Sequence, residues 1–320
     1  MTPLVSILIP CYNAEPWLAQ TLESALAQDW PAKEIILVDD GSTDDSLPVA
    51  RTFEARGVRV TTQSNQGASA ARNAALAASQ GAWIQYLDAD DLLAPDKIRQ
   101  QMRVAAEVGP EMVLSARWAR FLQSPAEASF GSLPLSFDAT PIDWVIRKLG
   151  GHDMMHPAAW LTSRSVIERA GAWDTRLSLD DDGEYFTRVV LASNGVRHCP
   201  EAVSFYRSEV RDSLSHRRSE SACRSAYISA TLCASHLLAL ENSPRTRQVC
   251  ADMFQRLCHT IYPDYPEIVR AVEFDVSRHG GSSIRPPGGF MFNVAVLLFG
   301  WKGARRAQLW RRGLIAALST

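Results

Sequence analysis

The chain is short of the features that would mark it for a bilayer, a nucleic acid or an oxidising compartment. No stretch of its 320 residues reaches the apolar length of a spanning helix, roughly 18 residues. The opening "MTPLVSILIPCYN" has neither a basic n-region nor the long apolar core of a secretory signal, so a cytoplasmic location is expected. Lys and Arg number 33 against 35 Asp and Glu, and the net charge of −2 gives no global pull toward nucleic acid. None of the six cysteines forms a C-x-x-C pair, so structural zinc is not expected, and Cys258-His259 reads as an ordinary helix pair. Internal repeats and low-complexity tracts are also missing. What remains is a globular composition, 46% apolar and 21% charged, at a length for one or two domains.

Residues 1–115 alternate between two periodicities. "VSILIP" (Val5 to Pro10), "EIILVDD", "VRVTTQ" and "AWIQYL" are short apolar runs suited to buried strands. Between and after them, "EPWLAQTLESALAQ", "DDSLPVARTFEARG", "GASAARNAALAASQG" and "APDKIRQQMRVAAEVG" carry helical spacing, the second with Asp44 as a candidate N-cap and Gly57 at its end. Strand and helix in strict alternation predict parallel strands joined by right-handed crossovers. The expected fold is therefore α/β, Rossmann-like, with a mostly parallel central sheet and helices on both faces.

In such sheets ligands bind beyond the carboxyl ends of the strands. The polar clusters fall there: "CYNAE", "DDGSTDD", "NQGAS" and "DADD" follow the four strands in turn. On an extended chain, Asp88 and Asp90 point to the same side. Two such carboxylates make a hard oxygen site for Mg2+ or Mn2+, completed by water and by phosphate oxygens. Read in isolation, the same aspartates are also suited to a helix-capping loop, with Asp91 as a cap.

Past residue 115 the pattern loosens. "MVLSARWARF" suits a strand, "HPAAWLTSRSVIERAGAWD" a strand, a short helix and a turn, "DDGEYFTRVVLASNG" a helix, and "AVSFYRS" a last strand. Two or three helices follow as far as His279, forming an extension over 216–279, and "GGSSIRPPGG" (280–289) is a linker by composition. The tail, 290–320, joins "FMFNVAVLLFGW" to Lys302, Arg305, Arg306, Arg311 and Arg312, with no acid after Asp275. A basic amphipathic helix lying on an anionic membrane surface and a helix that covers a core are both open readings.

The four quoted segments of the first half, in this order and spacing, resemble family 2 glycosyltransferases, inverting enzymes with the GT-A nucleotide-sugar fold. The resemblance is strong from Pro3 to Asp96 and thinner to Ser215, which predicts a GT-A domain over 1–215 with a nucleotide-sugar half (1–115) and an acceptor half (116–215). It implies that Pro10, Tyr12 and Glu15 lie against the nucleoside. It implies that Asp40 accepts from the base, usually uracil or thymine, while Asp39 is structural. Gly67 and Arg72 match the "GxxxARN" segment beside the diphosphate, and Asp88, Ala89 and Asp90 match the metal and diphosphate motif, Asp90 being the direct ligand of Mn2+ or Mg2+. In "GAWDTRLSLDDDGEYFTR", Asp181 replaces the family's Glu and Asp182 falls on its Asp, the position of the base that removes a proton from the acceptor hydroxyl. Glu184 is the understudy. His156 and Trp160 are expected to border the acceptor pocket. Where relatives place a His before a "SxS" element, this chain has Glu209 and a later His216, so the third metal-side ligand is open.

The implied function is transfer of a sugar from a nucleoside diphosphate donor, UDP- or TDP-linked, to a saccharide or lipid-linked acceptor in surface polysaccharide or glycolipid synthesis. Nucleotidyl transfer needs a Gly-rich basic loop after the first strand, and "CYNAEPW" has none. An aspartyl phosphatase would carry its D-x-D after the first strand, and a receiver-like module would end near residue 120. A nucleotide-sugar-binding protein without catalysis and a Mg-dependent nucleotidyltransferase are the alternatives.

Overall fold

The computed structural model describes residues 2–151, 153–208 and 219–318. The chain divides into two compact units, 1–217 and 218–320. The first is built on an eight-stranded mixed sheet. Strands β1 (Val5–Cys11), β2 (Lys33–Asp39), β3 (Val58–Thr62) and β4 (Trp83–Tyr86) form its parallel half, ordered β3-β2-β1-β4. Their connections are α1 (Glu15–Leu26), a short α2 (Ser46–Arg51) and α3 (Ala68–Ala78). Every residue of β1 and β4 is buried, as a parallel sheet covered on both faces requires. Val5, Ile7 and Ile9 pack with Leu18 and Leu22 of α1 in one continuous core. The register sets Cys11 beside Asp39 and Asp39 beside Thr62, so three strands end at one level and their loops share one rim.

The other half departs from the parallel expectation. β7 (Trp160–Ser163) runs antiparallel to both β4 and β6 (Val113–Phe121), β8 (Val196–Arg207) runs parallel to β6, and β5 (Leu92–Leu93) closes the edge antiparallel to β8. α4 (Lys97–Val108), α5 (Pro141–Gly151), α6 (Arg164–Ala170) and α7 (Asp181–Leu191) complete the unit. The two-residue β5 and α5 had no recognisable signal. The predicted second helix is cut short at Arg51, followed by a 3-10 turn ending at Gly57 with φ 94°. Asp45 is its N-cap residue, while the Asp44 carboxylate accepts from Ser46 N and from Glu15 N, tying the start of α2 to the start of α1.

The second unit holds α8 (Glu220–Leu240), α9 (Pro244–Ile261), α10 (Pro266–Arg278) and α11 (Phe290–Leu318). α11 is broken at Gly300, where φ 68° and ψ 163° leave the helical region. After the break, Trp301 packs edge-on to His259 and Tyr262, and Lys302 pairs with Glu273 at 2.5 Å. Before it, Phe290, Met291, Leu297, Leu298 and Phe299 are each more than two-thirds exposed, at 81, 73, 73, 69 and 71%. A single amphipathic tail is therefore replaced by an exposed apolar segment and a docked basic one. No helix among the described residues is long and apolar enough to cross a membrane.

Candidate active site

The rim is laced together by loop-to-loop bonds. Thr43 N donates to Asn13 Oδ1 at 2.8 Å, Asn13 N to Ser42 Oγ at 3.0 Å, and Ala14 N to Ser46 Oγ at 2.8 Å. On this frame Tyr12 is 49% exposed and Glu15 is exposed, whereas Pro10 is buried within β1, next to the rim instead of on it.

The two aspartates at the end of β2 divide their work differently from the expectation. Asp40 is buried and accepts from three donors of the loop after β3: Gln63 Nε2 at 2.7 Å, Gln66 N at 2.9 Å and Gly67 N at 2.8 Å. It is the anchor of that loop, with one of a carboxylate's roughly four acceptor positions left. Asp39, expected to be the structural member, takes Ser42 N at 3.3 Å through Oδ2 and has a buried Oδ1 with no partner. Gly67 is required for its backbone: φ 92° with ψ 162° is essentially glycine-only, although a Cβ there meets nothing within 4 Å.

Asp88 to Asp91 do not continue an extended strand. Asp91 N donates to Asp88 O at 3.1 Å, closing a turn. The turn sends Asp91 inward, so it is not a helix cap; Asp96 holds that place for α4. Asp91 Oδ2 meets His156 Nδ1 at 2.7 Å, Oδ1 accepts from Arg207 N at 2.9 Å, and His156 Nε2 meets Ser204 Oγ at 2.9 Å. Burial pushes His156 down to about 3, so the ring is neutral, and burial with the charge of Asp88 pushes the Asp91 carboxyl up, so the pair shares a proton across the 2.7 Å contact. His156 (1% exposed) therefore lies behind the site and not on an acceptor surface. Trp160 is corrected likewise: it is 2% exposed, stacked on Phe186 at 5.2 Å with Trp144 edge-on at 5.2 Å. Both residues were placed by an aromatic and polar motif that the packing of β7 turns into core.

Ala89 is buried, and its carbonyl, with that of Asp91, accepts from Thr21 Oγ1 at 2.9 and 3.0 Å. Asp90 stays half-buried. Burial, with the charges of Asp91 and Asp88, raises its carboxyl to about 8. A turn whose carboxylates repel one another and hold a proton this tightly is a fitting seat for a divalent cation. Asp90 and Asp88 would hold it, and both offer the oxygen ligands that Mg2+ and Mn2+ take. No group of three or more His, Cys, Asp or Glu side chains suited to a metal ion occurs among the described residues. Glu209 and His216, the open third position, lie outside them.

Arg72 joins the two acidic segments. It is 6% exposed, and its guanidinium donates through Nη2 to Asp88 Oδ1 at 2.7 Å and through Nη1 to Asp181 Oδ2 at 2.8 Å. Burial pulls the guanidinium's pKa down, but Asp88 and Asp181 outweigh it, and the net shift is upward. Ser69 Oγ adds a second bond to Asp181 at 3.1 Å, and the face of Trp173 lies 4.4 Å from the guanidinium carbon. Asp182 follows in the first turn of α7, half-buried, its Oδ1 accepting from Gly183 N at 2.8 Å. Burial and the charges of Asp181 and Asp180 raise its carboxyl to about 7, with Arg72 and Lys148 limiting the rise. Glu184 is not available as an understudy: it is 1% exposed and bound by Arg188 at 2.5 and 2.9 Å.

Three residues that hold this arrangement were not singled out from the sequence. Asn73 pairs through its amide with both backbone groups of Trp173, each at 2.9 Å, fixing the ring under Arg72. Both stood inside quoted motifs, "ARN" and "GAWD". Arg207 had no local signal. Its guanidinium lies between Trp17 and Phe121, 4.4 and 4.3 Å from their rings, and donates to Asp90 O at 2.9 Å, Leu122 O at 2.7 Å and Gln20 Oε1 at 2.8 Å.

A parallel half-sheet with an acidic turn after its fourth strand, joined to a mixed half that supplies a second acidic turn, defines an α/β protein of the GT-A type. The profile described as Glycosyl transferase family 2 matches residues 6–169, about half of the chain, and the chain belongs to that family. An uncharacterized glycosyltransferase of Haemophilus influenzae is 45% identical over 103 residues, covering 31% of this chain and 41% of that protein. The putative teichuronic acid biosynthesis glycosyltransferase TuaG of Bacillus subtilis is 38% identical over 108 residues, covering 33% of this chain and 43% of TuaG. The match thus spans less than half the length of either relative. Among solved structures, S. aureus TarS 1–349 in complex with UDP-GlcNAc aligns over 86% of this chain and 89% of its own, with TM-score 0.61 and 16% identity. The mannosyltransferase PcManGT of Pyrobaculum calidifontis, in complex with GDP-Man and Mn2+, aligns over 100% and 87%, with TM-score 0.56 and 18% identity. At these identities the structural likeness speaks for the fold.

Proposed function

We propose that the chain transfers a sugar from a nucleoside diphosphate donor to an acceptor hydroxyl with inversion, in the synthesis of a surface polysaccharide or glycolipid. The observation that carries this is the double salt bridge of Arg72, which binds the acidic turn after β4 to the acidic start of α7 through one guanidinium. A donor site and a proton acceptor are thereby held in a fixed relation, as a direct displacement needs. Asp182 is the proton acceptor: a carboxyl raised to about 7 is matched to taking a proton from a hydroxyl near neutral pH. Asp181 positions it from the adjacent residue and is itself held by Arg72 and Ser69. Asp40 fixes the loop of Gly67, and Tyr12, exposed on the rim, offers a face to a nucleobase.

Asp90, with Asp88, is the seat for Mn2+ or Mg2+; when bound, such an ion offsets the charge of the departing diphosphate. A UDP- or TDP-linked donor remains our reading, and the two structural neighbours, solved with UDP-GlcNAc and with GDP-Man, make uridine and guanosine donors the first to test. Replacing Asp182 by Asn should abolish transfer and leave nucleotide binding intact; full activity in that variant would remove the base assignment. Loss of nucleotide binding on this substitution would make the residue part of the donor site instead.

We further infer that the apolar start of α11 rests on a membrane surface. Its exposed side chains carry no apolar cover among the described residues, and Arg305 and Arg306 follow beyond the break at Gly300. The acceptor would then be lipid-linked or close to the bilayer.

A further inference from the structure

A cleft of about 430 Å3 opens on the mixed half of the sheet, lined in part by Trp118, Arg120, Ser129, Ser132, Asp153 and Met154. Its wall is connected to the acidic turn through buried side chains. Trp118 tilts against His156 at 5.6 Å, and His156 in turn is bonded to Asp91. Tyr206 stands between the two regions, 6.1 Å from Trp118 and 5.5 Å from His156, and its phenol is pushed up to about 12 by burial and by the charges of Asp91 and Asp90. Two side chains, Trp118 and His156, thus link the cleft to Asp91 of the turn assigned above to the donor.

Arg120 is the distinctive group. It is exposed, and among the described residues it makes no salt bridge. Its guanidinium carbon is 5.3 Å from the Trp118 ring and 5.2 Å from the Tyr206 ring. The Trp118 and Tyr206 rings, set edge to face at 82°, hold the guanidinium carbon beside them before any ligand arrives, so less freedom is lost when its N–H groups engage an oxyanion. The remaining polar groups suit neutral hydroxyls. Asp153 Oδ2 is buried without a hydrogen bond, its nearest cation being Arg147 Nε at 3.9 Å, and Ser129 and Ser132 offer hydroxyls alongside. Arg120 is the one cation among the lining residues, so the cleft has a place for one anionic group and several hydroxyls.

We propose that this cleft is the acceptor subsite and that Arg120 selects a saccharide carrying a carboxylate or a phosphate. The assignment as acceptor rests on the transferase reading of the neighbouring carboxylates; the anion preference rests on Arg120 alone. A guanidinium that meets an oxyanion through two parallel bonds at an exposed position discriminates against a neutral analogue by up to about fivefold.

The test uses the full chain, with UDP binding in the presence of Mn2+ measured first by calorimetry. Ligand-observed NMR then compares 4-nitrophenyl β-D-glucuronide, 4-nitrophenyl β-D-glucoside and glucose 6-phosphate, with UDP and Mn2+ at saturation. At least one of the two anions should bind up to about fivefold more tightly than the glucoside, and which one does so identifies carboxylate or phosphate as the group read. The preference should vanish in Arg120→Ala and return in part in Arg120→Lys, with UDP affinity equal in all three proteins. Equal affinity for all three sugars in the wild type, or a preference that survives Arg120→Ala, overturns the proposal. If UDP does not bind while the Arg120-dependent preference persists, the anion site stands and the acceptor assignment falls with the transferase reading.

Discussion

Asp182 should make the protein less stable at the pH where it works. A carboxyl whose folded-state pKa is raised binds its proton more tightly folded than unfolded. Stability is then greatest below the unfolded value of 3.8, falls as pH climbs toward about 7, and stays at its lower level above that. At about 1.36 kcal/mol for each tenfold in proton affinity, the rise from 3.8 to about 7 sets an upper bound of about 4 kcal/mol. Solvent contact at a half-buried carboxylate with Asp181 and Asp180 beside it reduces this to about 1–2 kcal/mol. Asp182→Asn removes the charge but keeps the Oδ1 that accepts from Gly183 N. The variant should therefore be inactive and more stable, by about 1–2 kcal/mol at about pH 8 and by a fraction of that near pH 5. Urea denaturation of both proteins across this pH range measures the difference, and a transfer assay scores the activity. A variant that is less stable than the wild type at every pH, or whose difference does not grow with pH, would mean that Asp182 is a helix-terminal acid with a structural role, and the assignment as proton acceptor would lose its electrostatic basis.

Other consequences can be checked separately. Asp90→Ala should lose most of the Mn2+-dependent part of nucleotide affinity, read by calorimetry with and without the ion; unchanged affinity would move the metal seat elsewhere. Arg207→Met leaves Asp90 O, Leu122 O and Gln20 Oε1 without their donor, and at about 1 kcal/mol or more each should lower stability by about 3 kcal/mol in chemical denaturation. Gly67→Ala should cost about 1–3 kcal/mol from backbone strain alone, because φ is 92° and no neighbour obstructs the new methyl group; a shift in thermal unfolding measures it. Removal of residues 290–320 should abolish co-sedimentation with anionic vesicles and leave nucleotide binding unchanged, and unaltered sedimentation would end the membrane reading of the tail.

How much of this was legible in the sequence follows the range of the forces involved. The parallel half was readable because each strand is buried on both faces and so appears as an unbroken apolar run. The rim was readable because the carboxyl ends of such strands must carry the polar loops. The mixed half was not, since β7 and β5 owe their direction to partners far along the chain, and a two-residue strand leaves no periodicity. Asp88, Asp90 and Asp182 were found as motifs, but their geometry was not: the turn that buries Asp91 depends on His156 and Arg207, 65 and 116 residues away. Trp160 and His156 misled for the same reason, being polar or aromatic residues near a motif that long-range packing makes core. The roles of Asp39 and Asp40 depend on which carboxylate meets the loop of Gln66 and Gly67, a contact that no local rule predicts.

The most direct test of the account is the release of nucleoside diphosphate from a panel of UDP-, TDP- and GDP-sugars, with Mn2+ and an acceptor mixture. The wild type and Asp182→Asn would be run side by side, with nucleotide binding of both confirmed by calorimetry. The account predicts turnover of at least one donor by the wild type, none by the variant, and equal nucleotide affinity in the two. Turnover that persists in Asp182→Asn, or a wild type that binds no nucleotide in the presence of the ion, would contradict the claim that the two acidic turns bridged by Arg72 form one catalytic site.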